Sequence, residues 1–362
     1  MNTSTINYYF YKMKITIIGA GLSGLSLTYL LKKNNINATI LEARERIGGR
    51  ILTTNNEGEA PTEMGATWVG SQHTALMSLL KELNIGVFEQ AMSDRAIYEA
   101  ISTSPPQLVR LPPNNDPSYR IQGGTSKLIQ ALADSLDNGQ IQTGQIVKSI
   151  KEEVNGISIT TNTQVIESDY VVSTLPPFLL MKNIEFQPTL PKELLSICGQ
   201  THTWMGESIK IGLSYAEPFW RKPDSSGTIF SNVGPIPEMY DHSDYEDKRY
   251  ALKGFLNGAY YSVSKEERLA IVLRQLNKYF GDLPNNFLTY EETVWRNEPF
   301  TFTNYDGHIL PHQNNGHAVF QNKYLADRFF VAGAETSAAY PGYMEGAVRS
   351  AAFVSAKLSL PL

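Results

Sequence analysis

The stretch Gly19-Ala20-Gly21-Leu22-Ser23-Gly24 spaces three glycines as G-x-G-x-x-G directly after the β-branched run K-I-T-I-I-G, Lys14 to Gly19. Glycines in that pattern let the backbone turn tightly and approach a pyrophosphate, whose charge then sits on free N–H groups at a helix N-terminus. Alone it is a weak signal. Glu42 strengthens it: this residue ends a second apolar run, Ala38 to Leu41, roughly twenty residues past the glycines, where a carboxylate can accept the hydroxyl hydrogens of a ribose. Gly48-Gly49-Arg50 adds a second flexible turn and a cation suited to a diphosphate. The competing readings are a tight turn without a ligand and, for Arg44, Arg46 and Arg50, a solvated basic loop. A dinucleotide fits the whole context better, and these residues do not separate FAD from NAD.

Lys210 lies inside I-K-I-G-L, so it is either an outward, solvated side chain or an inward amine with a lowered pKa. The run W-R-N-E-P-F-T-F-T-N-Y, Trp295 to Tyr305, sets four aromatics among a proline, two asparagines and a glutamate, a mixture that is neither a clean strand nor a clean turn. Tyr343 stands just before an Ala-rich helix. A tyrosine alone is more often packing, and Tyr305 and Tyr343 carry an argument only as a pair. Glu207 and the six histidines show no spacing for a triad or a metal site, so no metal is expected.

Holding such groups takes a βαβ unit first: a strand over Lys14 to Gly19, a helix over Leu22 to Lys33 and a strand over Ala38 to Leu41. Gly123-Gly124-Thr125 then caps a helix from Ser126 to Leu136, and Val147 to Thr160 and Tyr170 to Ser173 read as strands. Pro176-Pro177 and Pro188 to Pro191 punctuate a crossing into another domain. Strand-like segments follow from Trp204 to Tyr290 with a helix over Lys265 to Tyr279, and Arg328 to Leu358 gives a strand, a Gly-rich turn and a long helix. At 362 residues, the chain has the length of two domains. A net charge of -5 with 19% charged residues excludes a polyanion-binding surface, so nucleic acid is not an expected partner. One cysteine, Cys198, leaves no intrachain disulfide and reads as a buried small hydrophobe. The leader, with Tyr8, Tyr9 and Tyr11, lacks the basic start and apolar stretch of a signal peptide. No run of about 18 apolar residues occurs, so no transmembrane helix is expected.

Glu42-Ala43-Arg44 followed by Gly48-Gly49-Arg50 resembles the FAD signature of the flavin-containing amine oxidase family, which includes monoamine and polyamine oxidases. Glu63-Met64-Gly65-Ala66-Thr67-Trp68 is similar to that family's flavin-contacting turn, with Glu63 in place of the commoner Asp. Met205 to Lys210 followed by Glu217 to Lys222 resembles the segment carrying its active-site lysine. Phe330 to Thr336 and Gly342-Tyr343-Met344-Glu345-Gly346-Ala347 match its most specific C-terminal motif.

The resemblance implies an α/β (α+β) fold. A Rossmann-type FAD-binding domain would comprise residues 13–81, 121–200 and 297–358, and a second, sheet-based substrate domain residues 82–120 and 201–296. It places the cofactor against Gly19, Gly21, Leu22, Ser23 and Gly24, then Glu42, Ala43, Arg44, Gly49 and Arg50. Gly65, Ala66, Thr67 and Trp68 would meet the flavin and the Val147 backbone the adenine. Gly333, Ala334, Glu335, Gly342, Tyr343 and Met344 complete the set, with Glu335 binding near the ribityl chain and the Met344 helix dipole favouring the charge on reduced flavin. Lys210 would hold a water against flavin N5. Tyr343, and Tyr305 counted ten positions after Trp295, would be two rings guiding an amine toward N5. Phe300 and Phe302 are left as packing. The implied reaction is hydride transfer from an amine carbon to the flavin, with dioxygen giving peroxide and the imine hydrolysing.

Two departures qualify the resemblance. Monoamine oxidases carry a flavin-bonding cysteine just before the first ring, and this chain has Asn304, so FAD is expected to be noncovalent. Between Trp68 and Gly123 the family usually inserts on the order of 150 residues, including a helical roof, where roughly 50 remain here. The site is then open, or covered by a partner subunit as in a homodimer, or the donor is not a simple amine. An amino acid would need an arginine in the cavity, for which Arg95, Arg110 and Arg120 are candidates. A dihydronicotinamide, a desaturation, or a flavin-binding interaction protein with little turnover are the remaining readings. A soluble, cytoplasmic protein without a membrane anchor is expected.

Overall fold

The computed structural model describes residues 13–222 and 225–359. The leader and its three tyrosines lie outside the described residues. Strand Ile15–Ile18 is buried along its whole length, as a central parallel strand must be when both faces are covered. It pairs in parallel with Ala38–Leu41 on one side and Tyr170–Ser173 on the other. The full sheet runs Ile141–Gln142, Ala38–Leu41, Ile15–Ile18, Tyr170–Ser173, Phe329–Val331, Lys323–Tyr324, and only the last pairing is antiparallel.

Parallel neighbours need a crossover, and helix Leu22–Lys33 supplies the first. Its Leu22, Leu25, Leu27 and Leu31 are buried in a core shared with Val348, Ala351 and Val354 of helix Met344–Ser359. The C-terminal helix thus packs on the first one, and the two chain ends of this region close on each other. Helix Ser126–Asp134 stops earlier than the periodicity suggests. The run from Val147 is a hairpin, Val147–Glu153 with Gly156–Thr161, whose turn falls at Val154-Asn155.

A seven-stranded sheet forms the second region, in the order Thr289–Val294, Ile209–Tyr215, Tyr250–Leu256, Glu238–Asp241, Ile229–Ser231, Arg95–Glu99, Gln107–Arg110. Helix Lys265–Phe280 starts at a capping box of Ser264 and Glu267 and buries Val272 and Leu276 with Ile211 and Leu213 of the sheet. Residues Arg95–Glu99 and Gln107–Arg110, from the shortened segment, extend this sheet rather than roofing the molecule. No helix among the described residues is long and apolar enough to cross a membrane.

Both regions aim at one place. In the parallel sheet the carboxyl ends of Ile15–Ile18, Ala38–Leu41, Tyr170–Ser173 and Phe329–Val331 share an edge, and Gly19, Glu42, Thr174 and Ala332-Gly333 follow them there. The face of the antiparallel sheet that carries Lys210 packs against the turn Glu63 to Trp68.

Candidate active site

One cavity of about 920 Å³ runs along that edge and reaches the antiparallel sheet. Its first end is made largely of backbone. Gly21, Leu22 and Ser23 line it at the start of helix Leu22–Lys33, where N–H groups have no intrahelical partner. The Ser23 hydroxyl is buried and unpartnered, the signature of a polar group built for something that binds there. Gly21 and Gly48 form a parallel bridge, with the Gly48 N–H donating to the Ala20 carbonyl over 2.8 Å. Gly49 has φ +58°, and a Cβ on it would sit 3.1 Å from the Gly21 Cα, so two glycine turns close on each other with no room for side chains. A diphosphate fits this cradle.

Glu42 lines the same end. Its carboxylate accepts from the Ala20 N–H at 2.8 Å and the Arg44 N–H at 2.9 Å, which fixes the oxygens for a ribose. Ala43 and Val147 also line it. Arg44 lines the wall but is paired, through Nη2, with Glu298 at 3.0 Å and Thr301 at 2.8 Å; its guanidinium lies 5.6 Å from the Phe300 ring centroid. Phe300 is therefore a wall of the cavity, not packing alone.

Not every expected cofactor residue reaches the cavity surface. Gly24 does not line it; a Cβ there would lie 2.0 Å from the Gly19 carbonyl oxygen, so this glycine permits helix and strand to touch. Gly333, at φ +125°, gives its N–H to the Ser350 hydroxyl at 3.2 Å. Glu335 is 1% exposed and grips Arg50 through two bonds of 2.5 and 2.8 Å. It is committed to that cation rather than open to a ribityl chain. Arg50 reaches the cavity wall, held well charged by the same carboxylate against the pull of burial. The pair has another job: Arg50 Nη1 donates to the Trp204 carbonyl at 3.1 Å and Glu335 accepts the Trp204 N–H at 3.2 Å. Together they fix Trp204.

Gly65, Ala66, Thr67 and Trp68 line the middle of the cavity, and Ala334, Gly342, Tyr343 and Met344 its opposite wall. Trp295 closes the floor, its indole N–H donating to the Met64 carbonyl at 2.7 Å. Lys210 is 5% exposed, lines the cavity and donates to the Gly65 carbonyl. Burial pushes its ammonium down to about 8, against the attraction of Glu63. The inward alternative for Lys210 is the one the structure adopts. Glu63 itself is buried, accepting from the Thr125 N–H at 2.5 Å and the Thr53 hydroxyl at 2.9 Å, and so ties the turn to the start of helix Ser126–Asp134.

The expected pair of tyrosines is not assembled. Tyr343 lines the cavity, but Tyr305 does not: its ring packs edge-on against Phe178 at 4.9 Å and Phe302 at 5.2 Å. Its hydroxyl accepts the Thr203 N–H at 2.9 Å. The loop beyond Thr301 turns away, leaving Asn304 exposed and bonded to Arg296 at 3.0 Å. Trp204 stands next to Tyr343 instead, ring centroids 5.8 Å apart, and His312 stacks on the Trp204 ring at 3.8 Å. Gly342 makes the approach of Trp204 possible, since a Cβ on it would lie 2.7 Å from the Trp204 Cβ. Sequence reasoning missed Trp204, His312 and also His73, which lines the cavity and accepts the Gly70 N–H at 3.0 Å. It also missed Lys253, which is 0% exposed beside Lys210; the segment A-L-K-G-F-L repeats the lysine-in-an-apolar-strand signal of I-K-I-G-L. Among the arginines weighed for a carboxylate, Arg110 pairs with Asp94 at the surface, Arg120 is buried against Ser243, and neither these nor Arg95 lines the cavity.

The geometry agrees with comparisons to known proteins. The family described as flavin containing amine oxidoreductase matches residues 22–114 and 102–358, two segments that meet inside the shortened region. Human amine oxidase [flavin-containing] B is 24% identical over 445 aligned positions, covering 94% of this chain and 84% of its own. That alignment is longer than this chain of 362 residues, so the relative carries residues with no counterpart here. A probable flavin-containing monoamine oxidase A of Dictyostelium discoideum is 23% identical, covering 95% of this chain and 97% of its own. Among solved structures, putrescine oxidase bound to putrescine superposes with a TM-score of 0.83 at 21% identity, over 96% of this chain and 98% of that one. Cyclohexylamine oxidase from Brevibacterium oxydans gives 0.84 at 18% identity, over 96% and 99%; at such identities these two speak for the fold. Matched along nearly its whole described length, and holding a dinucleotide cradle joined to a buried lysine, this chain belongs to the flavin-containing amine oxidoreductase family of FAD-dependent enzymes.

Proposed function

We propose that this protein oxidises a small-molecule amine at the carbon next to its nitrogen. Two electrons and a proton leave that carbon as hydride, the nitrogen gives up a proton as the imine forms and is hydrolysed by water, and dioxygen takes up the two electrons and both protons to become hydrogen peroxide. The observation that carries this reading is the continuity of one cavity from the Ser23 cradle to Lys210 and Tyr343. Bound FAD supplies the electron acceptor. The chain's own residues do the rest: the glycine turns and Glu42 orient the dinucleotide, the first turn of helix Met344–Ser359 lines the cavity through Met344 and Ala347 and brings the positive end of its dipole to it, and Trp204 with Tyr343 offers rings to the amine. Noncovalent attachment is part of the proposal. The single cysteine, Cys198, is buried and does not line the cavity, so no cysteinyl bond to the flavin forms.

An amino-acid donor is disfavoured because the arginines on the wall, Arg44 and Arg50, are both engaged by carboxylates. The test is anaerobic mixing of the yellow holoprotein with a panel of amines and amino acids. Bleaching of the flavin by an amine, followed by peroxide on readmitting air, is the expected result; a spectrum that no amine changes overturns the reading.

A further inference from the structure

Lys210 has a second amine beside it. Strands Ile209–Tyr215 and Tyr250–Leu256 pair so that Lys210 lies opposite Phe255 and Lys253 opposite Gly212, which puts both lysines on one face of the sheet. Their amines converge on a single oxygen: the Thr67 hydroxyl is 2.9 Å from Lys253 Nζ and 3.5 Å from Lys210 Nζ. Each Nζ is also 4.9 Å from the Phe255 ring centroid. Lys253 forms no ion pair among the described residues. The charged and titratable groups facing it are Lys210 from the neighbouring strand, Glu63 from the flavin turn and Glu238 from the strand on the other side, with His242 and Arg120 beyond. Both carboxylates are bonded elsewhere, Glu63 to Thr125 and Thr53 and Glu238 to the Tyr240 hydroxyl at 2.7 Å. Two ammonium ions around one hydroxyl, both buried and without a bonded counter-ion, repel strongly.

We propose that Lys253 is a positioning residue for Lys210: the two amines hold one proton between them at neutral pH, with Lys253 the uncharged partner that keeps Lys210 protonated. Burial and the neighbouring Lys210 push Lys253 well below the ordinary lysine range, whereas Lys210 falls only to about 8. The charge that remains on Lys210 faces the cavity, where it favours electron transfer to dioxygen. That consequence rests on the amine-oxidase reading; the shared proton does not.

The experiment is a pH titration of the holoprotein labelled with lysine carrying ¹³C at Cε, in the wild type, Lys253→Met and Lys253→Gln. In the wild type one buried lysine is expected to show the shift of a neutral amine throughout and the other to titrate near pH 8. Lys253→Met loses the acceptor, and the Lys210 midpoint falls by about one unit or more; Lys253→Gln, whose amide oxygen can accept from Lys210, recovers at least about half of that. The pH limb of flavin reoxidation by dioxygen moves with the midpoint, while flavin reduction by an amine stays within about twofold. Two ammonium shifts at neutral pH in the wild type, or a Lys210 midpoint within about 0.3 unit of wild type in Lys253→Met, overturns the proposal. Should the Met variant lose its flavin, the wild-type spectrum decides: one neutral amine beside one that titrates near pH 8 supports the proposal, and two ammonium shifts at neutral pH overturn it. A protein that reduces with no amine yet shows the shared proton sinks the functional reading and leaves this one standing.

Discussion

The two ends of the cavity are made of different material. At the diphosphate end, the groups are largely backbone amides and missing side chains, contributed by Gly19, by Gly21 to Ser23 and by Gly48 and Gly49. At the reacting end they are large side chains, Trp204 and Lys210 from one stretch and Trp295 and Tyr343 from two others. The first end binds by leaving space and exposing dipoles, at small desolvation cost. The second buries the Lys210 amine and the Trp295 ring and half-buries Trp204, and each of these is supported by something behind it: Gly65 behind Lys210, Arg50 and Glu335 behind Trp204, Met64 behind Trp295. A change at the first end is therefore expected to act through sterics and all at once, and one at the second through electrostatics and in degrees.

The sharpest test of the steric end is Gly24→Val. Its Cβ meets a backbone oxygen that cannot move cheaply, so the variant should lose its flavin absorbance and about 3 kcal/mol or more of stability; a Gly24→Val protein that melts like wild type and stays yellow contradicts the assignment. At the other end, Glu335→Gln removes the counter-ion of Arg50 and should cost about 3 kcal/mol in chemical denaturation, while releasing Trp204 and raising the KM for amines. An effect of similar size is pH-dependent. Lys210 titrates near 8 when folded and near 10.4 when unfolded, so between these values the unfolded chain binds more protons and stability rises with pH. The gain from Lys210 should approach about 3 kcal/mol across that window, and Lys210→Met should remove that share while the rise due to the neutral Lys253 remains. Next, Tyr343→Ala should slow flavin reduction about tenfold, or 1.4 kcal/mol. Tyr305→Phe should change that rate less than about twofold while lowering stability by about 1 kcal/mol through the orphaned Thr203 amide. Equal rate losses at the two tyrosines would break the comparison and return Tyr305 to the slot.

The sequence made the first end readable because its determinants are local. Three glycines, a helical period and a terminal glutamate fall within one βαβ unit, and helix Leu22–Lys33 and strand Ala38–Leu41 have the expected limits. Lys210 could be singled out but not aimed, since a strand's face is known only from its packing. Lys253 stayed hidden for the same reason: its proximity to Lys210 is a register between strands some forty residues apart. Trp204 and His312 come together across more than one hundred residues, beyond the reach of any spacing rule. Tyr305 was placed by counting from Trp295, which assumes one loop path; the chain instead turns at Thr301 and spends the hydroxyl on Thr203.

Tyr343 is 42% exposed although it lines the cavity. On the amine-oxidase reading, an amine would meet that ring from bulk water, with no lid to lift among the described residues. Selection then depends on what the wall attracts rather than on what fits through an entrance, and branched or bulky amines should be admitted alongside small ones. Product leaves by the same short route, so the speed of turnover is expected to report the chemistry itself and not the opening of a gate.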